Sequence, residues 1–136
     1  MSFWETIKSL FGKKKKVNLN LIINNPSEIS EDDLSEITEK AISGDTENEL
    51  FVGVLYLKGV RIQQNIVKAK EYLEKSAQAG NLLAQKILAK EYTSGVNFPQ
   101  DLTRAFELLE KASNSGDAEA MYNLGLLYED GISVPS

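Results

Sequence analysis

The chain has 136 residues, of which 42% are hydrophobic and 26% charged, and its net charge of −5 divides into +4 over residues 1–16 and −9 over residues 17–136. It contains no cysteine and no histidine. Their lack excludes disulfide frameworks, thiolate metal sites and histidine-dependent triads, and what remains is carboxylate chemistry or no chemistry. We expect no metal, no cofactor and no enzymatic activity. The acidic main body would repel phosphate backbones, which argues against nucleic-acid binding and suits a basic protein partner.

The first sixteen residues predict an amphipathic helix followed by a polybasic segment. Its apolar side consists of Phe3, Trp4, Ile7, Leu10 and Phe11, and Lys13, Lys14, Lys15 and Lys16 follow directly. One interpretation is binding to an anionic membrane surface, where each lysine contributes about 1 kcal/mol. The other, which we favour, is docking of the apolar side on the first repeat or in its groove.

The expected cellular location of the protein follows from the same N-terminal segment. The lysines come after the apolar stretch, which is not the order of a secretory signal, and no apolar run has transmembrane length. We therefore expect a cytoplasmic protein, peripheral to the inner membrane if the N-terminal helix binds lipid.

Residues 17–29 are predicted to form an extended linker, and residues 30–43 a single helix that caps the array as a half-repeat. The linker alternates apolar and polar residues at first, as a strand would, but no second strand candidate exists to pair with it. The cap begins with three acidic residues, Glu31, Asp32 and Asp33. They lack the glycine and alternating ligands of a calcium loop, and acidic side chains are favoured at the start of a helix.

The rest of the chain repeats with a period of 36 residues, most visibly at Tyr56, Tyr92 and Tyr128. This period gives repeats 44–79 and 80–115 and an incomplete repeat 116–136. The glycine columns are Gly44, Gly80 and Gly116, and Gly59, Gly95 and Gly131; a third column holds Gly53, Ala89 and Gly125.

Each repeat predicts two helices, the first near 46–58, 82–94 and 118–130 and the second near 65–79 and 101–115. Asp45, Asn81 and Asp117 are suited to cap the first helices, which end at glycine. Glycine within a helix is unfavourable by about 1 kcal/mol, so the Gly53 column indicates the close approach of another helix. The loops share an apolar column that should pack on the core, formed by Ile62, Phe98 and Val134.

These columns resemble the Sel1-like repeat family, helical solenoids related to tetratricopeptide repeats. The matching residues are Ala118, Glu119 and Ala120, then Leu124, Gly125, Tyr128 and Gly131, and Pro99, Gln100, Asp101, Arg104, Ala105, Glu110, Lys111 and Ala112. The resemblance implies an all-α fold, a short right-handed α/α solenoid. Repeat 44–79 departs from the pattern at Asn48 and Ser76.

One face of the first helices varies between repeats, and by analogy with tetratricopeptide arrays it lines the concave surface, which we call the inner face. Its residues are Leu50, Val54, Leu57, Lys86, Lys90, Thr93, Glu119, Tyr122, Leu126 and Glu129. Stacked repeats mostly use this surface to hold other proteins. Tyr122, Lys86 and Lys90 are the individual anchors we favour.

The first helix of the incomplete repeat, with Leu126, Leu127 and Tyr128, is followed by only a few residues. Solenoids close their ends with polar caps. We therefore expect this end to associate with a second copy or a partner, unless the terminal residues fold back over it or the chain is a fragment.

Two functions remain open from the sequence. The first is a non-catalytic adaptor or scaffold in a bacterial-style assembly that binds a partner protein on the inner face, as the resemblance implies. The second is a small acidic cytosolic inhibitor, such as an immunity protein that neutralises a basic toxin. An enzyme is a third class, but nothing places two carboxylates in one pocket.

Overall fold

The computed structural model describes residues 2–3, 5–7 and 17–130. In this part of the chain no strand is present, so the all-α prediction is confirmed. The longer helical elements are α1 (Leu19–Asn24), α2 (Glu31–Ile42), α3 (Thr46–Lys58), α4 (Ile66–Gln78), α5 (Leu82–Ser94), α6 (Leu102–Asn114) and α7 (Ala118–Glu129), with a 3₁₀-helix at Pro26–Glu28.

The helix boundaries follow local capping signals. The backbone N–H groups of Asn48, Ala84 and Ala120 donate to the side chains of Asp45 (3.0 Å), Asn81 (2.9 Å) and Asp117 (2.8 Å). Gly59 and Gly95 end α3 and α5 in the left-handed conformation, with φ of 67° and 66°, which glycine adopts at low cost. Gly131, predicted to end α7, lies outside the described residues.

The helices stack in chain order, each from α2 to α7 contacting the next. This nearest-neighbour arrangement is that of a solenoid. At Gly53 the predicted close approach is present, because α4 brings Leu73 against the glycine. At Gly125 it is not, since no atom lies within 4 Å of a Cβ built there.

The loop column packs on the core as predicted at its first two members. Phe98 is buried against Tyr92, with ring centroids 5.5 Å apart, and Ile62 is half-buried against the core. Val134 lies outside the described residues. Ser76, a departure from the family pattern, is fully buried, and its hydroxyl donates to the carbonyl of Thr46 at 2.8 Å.

The segment predicted as an extended linker, 17–29, contains instead the helix α1 and the 3₁₀-helix. Asn18 caps α1 by accepting from the N–H of Leu21 at 2.9 Å. The segment that alternates like a strand also contains a helical pattern. Leu19, Ile22 and Ile23 have helical spacing, which places their apolar side chains on one side of a helix. The helix forms because α3 offers an apolar surface on which Ile22 becomes fully buried.

Arg61, in the loop between α3 and α4, attaches the N-terminal elements to the first repeat. Its guanidinium donates to the carbonyl of Pro26 at 3.1 Å and to the carbonyl of Ile29, and it pairs with the Glu31 carboxylate. Its own backbone has a φ of 66°, a strained conformation for a residue with a side chain. These contacts offset that strain and fix the path of the chain between α1 and α2.

A second polar cluster joins three successive helices through Glu74 of α4. The hydroxyl of Tyr92 donates to Glu74 Oε1 at 2.7 Å, and Arg104 donates to Glu74 Oε2 at 2.6 Å. Partial burial raises the pKa of Glu74, but the hydrogen bonds from Arg104 and Tyr92 outweigh it, and the net pKa is lowered. The ionised carboxylate is therefore the form that the fold stabilises.

We expect Glu74→Gln to lower the free energy of unfolding at neutral pH by roughly 1.5–3 kcal/mol, the contribution of hydrogen bonds to a charged group. Because the folded pKa of Glu74 lies below its ordinary value of 4.5, this contribution is present above pH 4.5 and is lost as the pH falls through the lowered pKa. Urea unfolding of both proteins across the acid range measures it. A stability difference that does not shrink on acidification would contradict this role.

Candidate functional site

The inner face of the first repeat is covered by the chain itself. Leu50, Val54 and Leu57, predicted to bind a partner, are 1%, 1% and 7% exposed. They belong to the same buried cluster as Ile22 of α1, which packs on α3. These three positions are therefore core residues, and their assignment to the partner-binding face is corrected.

Beside α1, the inner face opens into a groove of about 580 Å³. One wall is α1, the floor is mainly α5, and the other wall is α7. The lining residues are Leu19, Ile23, Leu83, Lys86, Ile87, Ala89, Lys90, Thr93, Ser94, Leu109, Glu119, Asn123, Leu126, Leu127 and Asp130. Five of the predicted inner-face residues are thus brought together: Lys86, Lys90, Thr93, Glu119 and Leu126.

Lys86 joins the floor to the far wall. Its ammonium lies 2.6 Å from Glu119 Oε2 and 3.4 Å from Asp117 Oδ2. The hydrogen bond to Glu119 raises the pKa of Lys86, desolvation opposes it, and the bond to Asp117 adds to the rise, so that the net pKa is raised. Lys86 is thus a cross-helix tie, which weakens its role as a free anchor for a partner.

Lys90 is exposed and lies one turn further along α5 than Lys86. It forms no ion pair within residues 17–130. Beside it, Thr93 donates its hydroxyl to the carbonyl of Ala89 at 2.7 Å. Lys90 therefore offers a positive charge to whatever enters the groove.

The other predicted site residues lie elsewhere. Tyr122 and Glu129 are exposed but do not line the groove. Of the predicted terminal interface, Leu127 is buried and Tyr128 is 57% exposed, with its ring against Phe106 at 5.2 Å. A terminal contact would therefore use Tyr128 and not Leu127.

The predicted N-terminal helix is described only in part. Phe3 is exposed and Ile7 half-buried, while Trp4, Leu10, Phe11 and the lysines lie outside the described residues. Among the described elements, α1 packs on α3 of the first repeat, and to this segment the sequence assigned no docking role.

Sequence reasoning missed Leu19 and Ile23, which form a wall of the groove, and Ile87 and Asn123 on the other two helices. One signal was available. In the first repeat the inner-face columns hold Leu50, Val54 and Leu57, whereas the same columns of the second hold Lys86, Lys90 and Thr93. Three apolar residues at positions that are polar in the second repeat indicate that another segment covers them.

The ionisable side chains of the groove show which chemistry it can support. Its two carboxylates have different surroundings: Glu119 is paired with Lys86, whereas Asp130 is the residue at which α7 ends. Within residues 2–3, 5–7 and 17–130, no cluster of acidic side chains is arranged to hold a metal ion. None of the helices described combines the length and apolar content needed to cross a bilayer.

Comparison with known proteins identifies the repeat. The family model described as Sel1 repeat matches residues 49–81, 82–117 and 118–136. A protective antigen of uropathogenic Escherichia coli strains, which displays an SLR fold, is 30% identical with a TM-score of 0.69 over 74% of this chain, and this chain covers 22% of it. A Sel1 repeat protein from Oxalobacter formigenes is 34% identical with a TM-score of 0.67, covering 75% of this chain and 77% of that one. No curated protein matches.

Proposed function

The chain belongs to the Sel1 repeat family, whose members are generally protein–protein interaction modules, and from that premise we propose that it is a non-catalytic adaptor that binds a partner protein in the groove between α1, α5 and α7. The observation that carries the proposal is the convergence of apolar surface. Ile23, Leu83 and Leu126 come from three different helices, are 41%, 44% and 40% exposed, and line the same groove. Apolar surface that gathers in one concave site marks an interaction surface.

The groove is built on supported elements, which favours tight binding. Its floor is held by the Lys86 ion pairs and by the Tyr92–Glu74–Arg104 cluster behind it. A preorganised surface loses little conformational entropy on binding. The partner would bury the exposed leucines against its own apolar side chains.

The inhibitor of a basic protein is a second candidate, supported by the charge of −9 over residues 17–136. The groove itself is balanced, with Lys86 and Lys90 against Glu119 and Asp130. An inhibitor of this kind would therefore use the acidic surface outside the groove, and its association would weaken steeply with salt.

The test compares Leu126→Glu in the groove wall with Val67→Glu, a control on α4 where the valine is 79% exposed. Proteins co-purified with the full chain from the source cell provide the partner, and its affinity for each variant is measured by calorimetry. We expect Leu126→Glu to weaken binding at least about tenfold, since a buried unpaired charge costs several kcal/mol. Val67→Glu should bind like the unaltered chain.

A partner that tolerates Leu126→Glu but is lost with Val67→Glu would refute binding in the groove. A partner that tolerates both variants and dissociates at moderate salt would favour the inhibitor instead.

A further inference from the structure

The inner face already holds one helix of this chain. Helix α1 contacts α3, Ile22 of α1 is fully buried, and the inner-face positions Leu50, Val54 and Leu57 of α3 are apolar and buried. Packing of a short amphipathic helix on a first helix is therefore an interaction that this face makes. The groove continues directly from that interface, because Leu19 and Ile23 on the next side of α1 line its wall.

The lining of the groove has the pattern that receives a helix. Leu19 and Ile23 on α1, and Leu83 and Ile87 on α5, are each four residues apart, so each pair forms a ridge along its helix. Leu126 and Leu127 complete the opposite wall. A helix with an apolar stripe could pack its side chains between these ridges, as helices pack in general.

Backbone hydrogen bonding favours the same occupant. The three main lining elements are helices, and the described part of the chain has no strand edge to which an extended peptide could add. An extended peptide would bring unpaired N–H and C=O groups into a largely apolar groove, at a cost for each buried group. Of the polar lining side chains, Lys86 and Glu119 are paired with each other, and the hydroxyls of Thr93 and Ser94 donate to carbonyls of their own helix. Mainly Lys90, Asn123 and Asp130 are left to pair with such groups. A helix pairs its own backbone.

The charges of the groove indicate one polar feature of its ligand. Lys90 is exposed at the groove and has no ion-pair partner within residues 17–130, whereas Lys86 is already paired. A carboxylate on the ligand would be favoured beside Lys90.

We propose that the groove binds one amphipathic α-helix of a partner protein, with apolar side chains at spacings of three and four residues and a carboxylate facing Lys90. This inference rests on the proposed adaptor function and names the class of partner segment. It differs from binding of an extended peptide or of a charged surface patch.

The test is selection of random linear peptides of about 16 residues, long enough for four helical turns, displayed on phage against the immobilised full chain. Binders that also bind Leu126→Glu are removed. We expect enriched peptides with apolar residues at i, i+3 or i+4, and i+7, and with an acidic residue beside the stripe. Synthetic copies should gain helical circular dichroism on binding, and Lys90→Glu should weaken them about tenfold, with recovery when their acid is changed to lysine.

Other outcomes overturn the inference in distinguishable ways. Groove-dependent peptides with alternating apolar residues and no induced helicity would refute the helix and leave the adaptor function intact. Failure to enrich any peptide sensitive to Leu126→Glu would refute the helical ligand, and the adaptor function would then be decided by the calorimetric comparison of Leu126→Glu with Val67→Glu.

Two other occupants of the groove can be distinguished by experiment. A synthetic peptide of residues 2–12 that binds as tightly as the selected peptides would assign the groove to the N-terminus of this chain. A dimer in sedimentation that Leu126→Glu dissociates would assign it to a second copy. Either result would overturn a foreign helix as the occupant.

Discussion

Gly53→Ala is expected to lower the free energy of unfolding by about 1–3 kcal/mol, the usual effect of inserting an atom into a packed core. A Cβ on Gly53 would lie 2.7 Å from Cγ and 2.9 Å from Cδ2 of Leu73, and 3.2 Å from its backbone N. Leu73 is fully buried, so it has little room to move away. The added methyl group would push α4 away from α3, the helix pair that forms the first repeat.

Gly125→Ala is the matched control, because Gly125 occupies the same column two repeats later. No atom lies within 4 Å of a Cβ built on it. Alanine should therefore stabilise the protein by about 1 kcal/mol through its higher helix propensity. Urea unfolding followed by far-ultraviolet circular dichroism measures both. If Gly53→Ala is as stable as the unaltered chain, the close approach of α4 is not the reason for glycine at this position.

Ile22→Ala is expected to cost about 2–5 kcal/mol, the range for truncating a fully buried isoleucine. Ile22 is 0% exposed at the contact of α1 with α3. Its neighbour Ile23 has the same side chain but is 41% exposed and lines the groove. Ile23→Ala should change stability by less than about 0.5 kcal/mol, while weakening any partner that binds in the groove.

The measurement is urea unfolding together with hydrogen exchange of the α1 amides. Exchange in α1 should accelerate in Ile22→Ala and stay unchanged in Ile23→Ala. Equal effects of the two substitutions would show that α1 is not seated on α3 by Ile22. The pair also separates stability from binding, since each isoleucine should affect one and spare the other.

The position of α1 changes how the repeats present their surface. In the second and third repeats the inner face is open, and its lining includes polar residues such as Lys90, Thr93 and Asn123. In the first repeat the corresponding residues, Leu50, Val54 and Leu57, are apolar and buried. The groove is therefore a composite in which a segment preceding the repeats supplies one wall, so the repeats without that segment would lack part of the proposed site.

The repeat itself could be predicted from sequence because its signals are local. A capping side chain such as Asp45 acts within three residues, a terminating glycine such as Gly59 acts on its own backbone, and the 36-residue period repeats both. Helix boundaries and stacking order then follow, since each helix contacts its neighbours along the chain.

Which inner-face positions remain open was decided by the tertiary structure. Leu50 and Lys86 occupy equivalent positions, yet Leu50 is 1% exposed whereas Lys86 lines the groove. One element packed on α3 is α1, nearly thirty residues earlier than Leu50, and Arg61 holds the chain that follows α1 through Pro26, Ile29 and Glu31. A short apolar segment has no strong conformational preference of its own, so whether it is a strand, a linker or a helix depends on the surface that it meets.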